Sequence, residues 1–341
     1  MGASRDPTLH VALIGAGRIG RIHADNLTRT PGAVLACVCD ADPGAAATLA
    51  AQCHSVVAKV EEALADPAVD TLLIASSTDT HADLIEAGAR AGKAVFCEKP
   101  LDLDLARARR CVEAAGSAGI VLRLGFNRRY DPSFARLKAE LVAGAIGPLA
   151  TLAITSRDPA PPPLEYVRRS GGLFRDMMIH DFDMARWLLG EEPAEVYARG
   201  TCFVDPAIAA AGDVDTAAVL LTTASGRMCQ ITNSRRCSFG YDQRIEAFGA
   251  AGMLRADNAT ATHVELASAT GFTTEPALPF FLERYAEAYR RELLDFVRAC
   301  AGESVELATA EDGVRALVLA DAAQRSHETG RPVTVAAETG R

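Results

Sequence analysis

Leu9-His10-Val11-Ala12-Leu13-Ile14-Gly15-Ala16-Gly17-Arg18-Ile19-Gly20 is the stretch whose reading decides the fold. Six mostly apolar residues end in a glycine-rich turn, and a helix is predicted over Ile19 to Arg29. An apolar run of this length bounded by glycine reads as a buried strand. The pattern Gly-x-Gly-x-x-Gly between a strand and a helix has a physical logic. Gly15 makes the tight turn, Gly17 lets the backbone approach a diphosphate, and Gly20 lets helix and strand pack closely. The diphosphate then rests on the free amides of the helix N-terminus. A second apolar run, Val34 to Cys39, ends at Asp40, about 20 positions further on, where such sites place an acidic residue. A carboxylate there accepts hydrogen bonds from the adenosine ribose hydroxyls and repels a 2′-phosphate. The expected cofactor is therefore NAD rather than NADP. Asp42 competes for the same role.

Outward from this stretch, short apolar runs alternate with helical segments. Helices are predicted over Ala45–Gln52, Val60–Ala65, Thr80–Ala91 and Leu103–Ala118. Strands are predicted over Ser55–Val57, Thr71–Ala75, Ala94–Cys97 and Ile120–Leu124. This alternation means βαβ units and a parallel sheet. After about residue 148 the style changes. Leu149–Ser156 reads as a strand, Asp158-Pro159 and the prolines 161 to 163 as a stiff loop, and Leu173–Leu189 as one long helix stopped by Gly190. Strands then dominate, at Glu195–Val204, Thr216–Thr223, Arg227–Ser234 and Gln243–Phe248, with Ser225-Gly226 as a hairpin turn. Ala209–Gly212 reads as a surface loop, and Arg284–Ala301 and Thr309–Arg325 as helices. The fold class is α/β: an N-terminal Rossmann doubly wound parallel sheet over 1–125, then a C-terminal α+β domain over 126–341 with a large, mostly antiparallel sheet. The final helices are free to pack back on the first domain.

The chain has 341 residues, 49% hydrophobic and 23% charged, with a net charge of −9. That balance argues against nucleic acid and anionic membrane surfaces, which reward clustered Lys and Arg. No apolar run approaches the roughly 18–20 residues of a membrane span. Met1–His10 is short and polar and lacks the apolar core of a secretory signal. Nine cysteines, an odd number with no Cys-x-x-Cys pair, read as reduced thiols packed as small hydrophobes. The expected location is the cytoplasm. No Cys/His/Glu cluster suggests a metal, and none is expected.

Two further motifs carry chemistry. Glu98-Lys99-Pro100 closes a predicted strand, and Asp176-Met177-Met178-Ile179-His180 sets a carboxylate and an imidazole four residues apart, on one face of the predicted helix. Oxidising a secondary alcohol requires a hydride to leave carbon and a proton to leave oxygen; a nicotinamide takes the first, and the protein must supply a base. His180 is the best base by its intrinsic pKa. Asp176 could orient the imidazole or bind a substrate hydroxyl. Lys99 could stabilise alkoxide character or relay the proton. Asp181 and Asp183, threaded among Met177, Met178, Phe182 and Trp187, suggest a polar strip facing a cleft. Ser76, Ser77 and Thr78 follow a predicted sheet strand, where doubly wound folds bind ligands, and His81 stands close by. Arg235 and Arg236 read first as solvated or inter-subunit residues and only second as ligand residues.

Together, Gly15–Gly20, Glu98-Lys99-Pro100 and Asp176-x-x-x-His180 resemble the hallmarks of the glucose–fructose oxidoreductase/inositol dehydrogenase/rhizopine-catabolism group (Gfo/Idh/MocA), over about residues 9 to 335. Four stretches are similar to its inositol-oxidising branch: Gly125–Asp131, Ser156–Pro159, Asp176–Arg186, and Asn233–Arg236 with Gly240–Arg244. Asn127 stands where that branch often has Met. The resemblance implies Lys99, Asp176 and His180 as the catalytic triad and Arg129, Asp158 and Tyr241 as further polyol-binding residues. It implies a cofactor set of Gly15, Gly17, Arg18, Ile19, Gly20, Asp40, Ser76, Ser77, Thr78, His81, Glu98 and Lys99. The implied reaction is oxidation of myo-inositol to 2-keto-myo-inositol, and the implied assembly is a homotetramer. The same chemistry on scyllo-inositol, D-chiro-inositol or glucose is the nearest alternative, and a non-catalytic NAD-binding redox sensor is the alternative of another class. A polyol is uncharged and rich in hydroxyls, and short polar and charged side chains suit it.

Overall fold

A computed structural model describes residues 8–335; the first seven residues, where the polar N-terminal stretch begins, lie outside them. The chain runs through β1 (Leu9–Ile14), α1 (Arg18–Leu27), β2 (Ala33–Cys39), α2 (Pro43–Gln52), β3 (Val56–Val57), α3 (Val60–Ala65), β4 (Thr71–Ile74), α4 (His81–Arg90), β5 (Ala94–Glu98), α5 (Leu105–Ala118) and β6 (Leu122–Gly125). These six strands pair in parallel in the order β3-β2-β1-β4-β5-β6. That is the doubly wound order, with its switch point between β1 and β4. The central strands β1, β4 and β5 are mostly apolar, as strands covered on both faces are: Val11, Leu13, Leu73 and Phe96 are almost fully buried.

The chain continues through α6 (Pro132–Val142), β7 (Leu149–Arg157), α7 (Leu164–Arg169), α8 (Gly172–Asp176), α9 (Ile179–Leu189), β8 (Pro193–Thr201), α10 (Pro206–Ala210), β9 (Thr216–Thr223), β10 (Met228–Ser234), β11 (Asp242–Gly249) and β12 (Gly252–Ala256). It ends with the hairpin β13 (Glu265–Ser268) and β14 (Gly271–Thr274), then α11 (Phe281–Arg284), α12 (Ala286–Cys300), α13 (Ala310–Thr329) and β15 (Val333–Thr334). A seven-stranded sheet has the order β12-β11-β7-β10-β9-β8-β15 and is antiparallel except where β10 lies parallel to β7. Burial alternates along its strands, as it does when one face is packed and the other is open: Val219 and Leu221 are buried, whereas Leu220 is 42% exposed.

The chain divides into two compact units: among the described residues, 8–130 with 288–315, and 131–287 with 316–335. In the first, Phe296 of α12 meets Phe96 of β5 edge to face at 5.3 Å, in a core shared with Leu13 and Leu293. All nine cysteines are unbridged, and six are buried. No helix of the described residues is long and apolar enough to cross a membrane.

Three local expectations need correction. The helix predicted over Leu173–Leu189 is two helices. The Leu173 carbonyl accepts from both Met177 N and Met178 N, at 3.1 and 2.9 Å, which widens the turn, and α9 starts afresh on the Met178 carbonyl. Asp176 therefore ends α8 while His180 stands at the start of α9, and the two do not share the face of one continuous helix. Ala209–Gly212 is not a plain loop: Asp205 caps α10 through Ala207 N, and the helix takes in Ala209 and Ala210. Asp181 and Asp183 do not line a cleft, being 0% and 1% exposed. The Asp181 carboxylate accepts from Ser156 Oγ at 2.6 Å and Asn233 Nδ2 at 2.9 Å, which seats α9 on β7 and β10.

Candidate active site

In the first unit the glycine-rich turn lies at the carboxyl end of β1. Gly15 has φ +106°, and a Cβ there would lie 2.5 Å from the Ala75 carbonyl oxygen. The turn thus presses against the chain leaving β4, at the switch point. A Cβ at Gly20 would lie 1.9 Å from the Gly15 carbonyl oxygen, so α1 packs directly on the turn. Gly17 is different: a Cβ would meet nothing within 4 Å, and its φ of −70° is open to any residue. It begins α1 with no side-chain cap, and both Gly17 and Arg18 are exposed, with Ile19 half-buried. Uncapped amides beside open space fit a diphosphate.

Asp40 follows β2 and is fixed by backbone amides, accepting from Ala16 N at 2.6 Å and Asp42 N at 2.8 Å. It therefore sits directly beside the glycine turn. Asp42 caps α2 through one carboxylate oxygen, which accepts from Gly44 N at 2.8 Å and Ala45 N at 3.3 Å. These residues fit NAD.

Ser76, Ser77 and Thr78 follow β4, with Ser76 Oγ 2.7 Å from Thr80 Oγ1. His81 is buried, its Nδ1 2.7 Å from the Pro100 carbonyl and its Nε2 3.2 Å from that of Ser76. Burial lowers its pKa, against the pull of those carbonyls. His81 thus ties the segment after β4 to the one after β5. Lys99 is half-buried at the end of β5. Its neighbour Glu98 is buried, 2.7 Å from Nε2 of the fully buried His23 on α1, and anchors α1 to β5. Arg129 pairs with Asp312 at 3.2 Å.

In the second unit both oxygens of Asp176 are engaged. Tyr166 Oη donates to Oδ1 at 2.7 Å and Arg235 Nη2 to Oδ2 at 3.3 Å. Desolvation of the Tyr166 hydroxyl, then the charge of Asp176, pushes the tyrosine pKa up, and Asp158 adds in the same direction. Asp158 is fixed by its amide, which donates to Ser234 O at 2.9 Å. Tyr241 is buried, edge-on to Tyr285 at 5.9 Å and to Phe280 at 6.0 Å. His180 is half-buried on the first turn of α9. Arg235, read first as solvated or inter-subunit, is instead 1% exposed. The signal was in the strand: the buried alternation Cys229, Ile231, Asn233 of β10 continues to Arg235 and leaves Arg236 on the solvent side. Tyr166 was missed because nothing in the periodicity of α7 marks it.

Comparison with known proteins places the chain among its relatives. Residues 9–126 match the oxidoreductase family with NAD-binding Rossmann fold, and residues 134–255 match the GFO/IDH/MocA C-terminal domain. The chain is 46% identical over 329 residues to an inositol 2-dehydrogenase of Rhizobium meliloti, covering 96% of this chain and 100% of that protein. It is 46% identical over 327 residues to a myo-inositol 2-dehydrogenase of Thermotoga maritima, covering 95% and 98%. Among solved structures, a scyllo-inositol dehydrogenase of Lactobacillus casei with bound NAD(H) and scyllo-inositol superposes with a TM-score of 0.89. That chain is 30% identical, with 96% of this chain and 99% of that one covered.

Proposed function

The chain belongs to the GFO/IDH/MocA oxidoreductase family, and on that footing we propose that it oxidises myo-inositol to 2-keto-myo-inositol (scyllo-inosose) with NAD. The observation that carries the reading is the end-to-end similarity to curated inositol 2-dehydrogenases. NAD, when bound, supplies the hydride acceptor. Gly15, Gly17, Arg18, Ile19 and Gly20 hold its diphosphate and Asp40 its ribose. Ser76, Ser77, Thr78, His81, Glu98 and Lys99 shape the rest of that site, His81 and Glu98 by fixing backbone rather than by contact.

His180 takes the hydroxyl proton as the carbon–hydrogen bond breaks, and Lys99 donates a hydrogen bond to the reacting oxygen as charge develops there. Asp176, whose orientation Tyr166 and Arg235 set, accepts from a ring hydroxyl. Asp158, Arg129 and Tyr241 line the polyol site. The similarity to a scyllo-inositol enzyme at lower identity keeps that epimer as the second reading.

The test is formation of reduced nicotinamide by the purified chain with NAD and a panel of myo-, scyllo- and D-chiro-inositol and glucose. The expected result is the highest kcat/KM with myo-inositol. Preference for another polyol overturns the substrate, and NAD binding without turnover of any polyol leaves the redox-sensor reading.

The assembly we propose is a homotetramer in the cytoplasm. Its support is the open face of the seven-stranded sheet, where Tyr197, Leu220, Met228 and Phe248 are 37–53% exposed. An apolar patch of this kind on a sheet face is suited to burial against a second copy.

A further inference from the structure

We propose that Arg235 and Tyr166 are positioning residues that clamp the Asp176 carboxylate, one on each oxygen, and so aim it at the polyol; the proposal rests on the dehydrogenase reading above. Tyr166 Oη lies 2.7 Å from Oδ1 and Arg235 Nη2 3.3 Å from Oδ2. The carboxylate plane is thereby fixed, and a carboxylate oxygen has room for more than one hydrogen bond.

The support behind the clamp is unusual. Arg235 is the largest fully buried side chain of the described residues. A buried guanidinium is stable only with counter-charge, and its Nη2 finds this in Asp176 and, 4.0 Å away, in Asp213. Asp213 in turn accepts from Leu173 N at 3.0 Å, near the beginning of α8. The five-residue helix is therefore held at both ends: its first turn by Asp213 and its last side chain by Arg235. Gly172, with φ +82°, permits this approach, since a Cβ there would lie 2.8 Å from Asp213 Oδ1.

The break after Asp176 gives the clamp its purpose. On a continuous helix, the backbone would fix Asp176 relative to His180. With α8 and α9 separate, side-chain contacts have to set the direction of the carboxylate.

The experiment is a double-mutant cycle in turnover: Arg235→Met, Asp176→Asn and the pair, and Tyr166→Phe, Asp176→Asn and the pair. If the two residues act through Asp176, each single change lowers kcat by about 10²-fold, the scale of a small misplacement at a reacting centre. NAD affinity stays unchanged, and neither change adds more than about threefold to the Asp176→Asn loss. Arg235→Lys restores part of the rate, since it returns the charge without the fork. Additive losses, or a fall in KM-dependent binding with kcat intact, overturn the clamp.

Tyr166 is 48% exposed, so Tyr166→Phe keeps the test open if Arg235→Met does not fold. A crystal structure of Tyr166→Phe needs no turnover: an Asp176 carboxylate in its wild-type orientation overturns the clamp, and a rotated one supports it. Wild-type protein inactive on every inositol overturns the dehydrogenase reading, and this structure then decides the clamp alone.

Discussion

Asp40 shows how much one side chain can carry. Its oxygens already accept the amides of Ala16 and Asp42, so its charge is held beside the glycine turn before any ligand arrives. Asp40→Ser removes the charge that a 2′-phosphate would meet, and the ratio of kcat/KM for NAD over NADP is expected to fall by at least about tenfold, the factor that about 1.4 kcal/mol represents. An unchanged ratio in steady-state kinetics would remove Asp40 from cofactor choice. His180→Ala is expected to lower kcat by about two to four powers of ten, the range for a lost general base, with NAD affinity intact by titration. Wild-type turnover would remove His180 from the chemistry. Asp40 and His180 can be nominated from the sequence because each follows a local pattern, a strand end and a spaced motif. Arg235 was legible only by carrying the β10 alternation one step past the end of the strand. Tyr166 was not legible, because its partner Asp176 is ten residues away across a chain turn that no periodicity marks.

At the level of elements, the glycine turn separates two reasons for having glycine. Gly20 is glycine because α1 touches the Gly15 carbonyl, whereas no atom of the described residues lies within 4 Å of a Cβ at Gly17. Gly20→Ala is therefore expected to lower thermal stability clearly. Gly17→Ala should leave it within about 0.5 kcal/mol, as for surface changes, yet weaken NAD binding in calorimetry. Equal stability losses would mean that Gly17 serves the fold alone. A second element-level device is the loop after β8. Asp215 is fully buried by surface and accepts from the amides of Phe203, Val204 and Asp205. Burial raises its carboxyl pKa, but those amides outweigh it and hold the group at about 2. A carboxyl depressed on folding contributes stability that is present above its unfolded value of about 3.9 and is lost as pH falls towards about 2. Asp215→Asn should lower the unfolding temperature at neutral pH and shrink the further loss between about pH 4 and pH 2. An undiminished acid loss in the variant would mean that other carboxyls carry it. Element boundaries in the first 125 residues were legible to within a few residues because buried parallel strands and covering helices differ sharply in period. The break at Met177-Met178 was not: both residues are apolar and good helix formers, and the shared acceptor that marks it, the Leu173 carbonyl, leaves no trace in the hydrophobic pattern.

At the level of the whole molecule, the chain order of the strands was readable and the membership of the last helices was not. The run of βαβ units leads directly to the six-stranded order, since right-handed crossovers leave few alternatives. Ala288–Arg315, by contrast, belongs to the first compact unit although more than 150 residues of the second precede it. Only the packing of Phe296 and Leu293 on Leu13 and Phe96 decides that, and amphipathic periodicity names a buried face without naming its partner. The same gap separates the seven-stranded sheet from its proposed assembly. Alternation along β8, β9, β10 and β11 predicts one covered and one open face, and the open face carries Tyr197, Leu220, Met228 and Phe248 among exposed polar residues such as Glu195, Arg199 and Gln230. Burying that face between copies removes apolar surface at about 25 cal/mol per Å², and one charge placed there must be desolvated on association. Leu220→Glu with Phe248→Glu is therefore expected to shift the mass measured by light scattering from four copies towards fewer. Because both side chains point away from the covered core, the circular dichroism of each subunit should be retained. A wild-type protein that elutes and scatters as a single copy would overturn the assembly, and a tetramer that survives both charges would move its interface off this sheet.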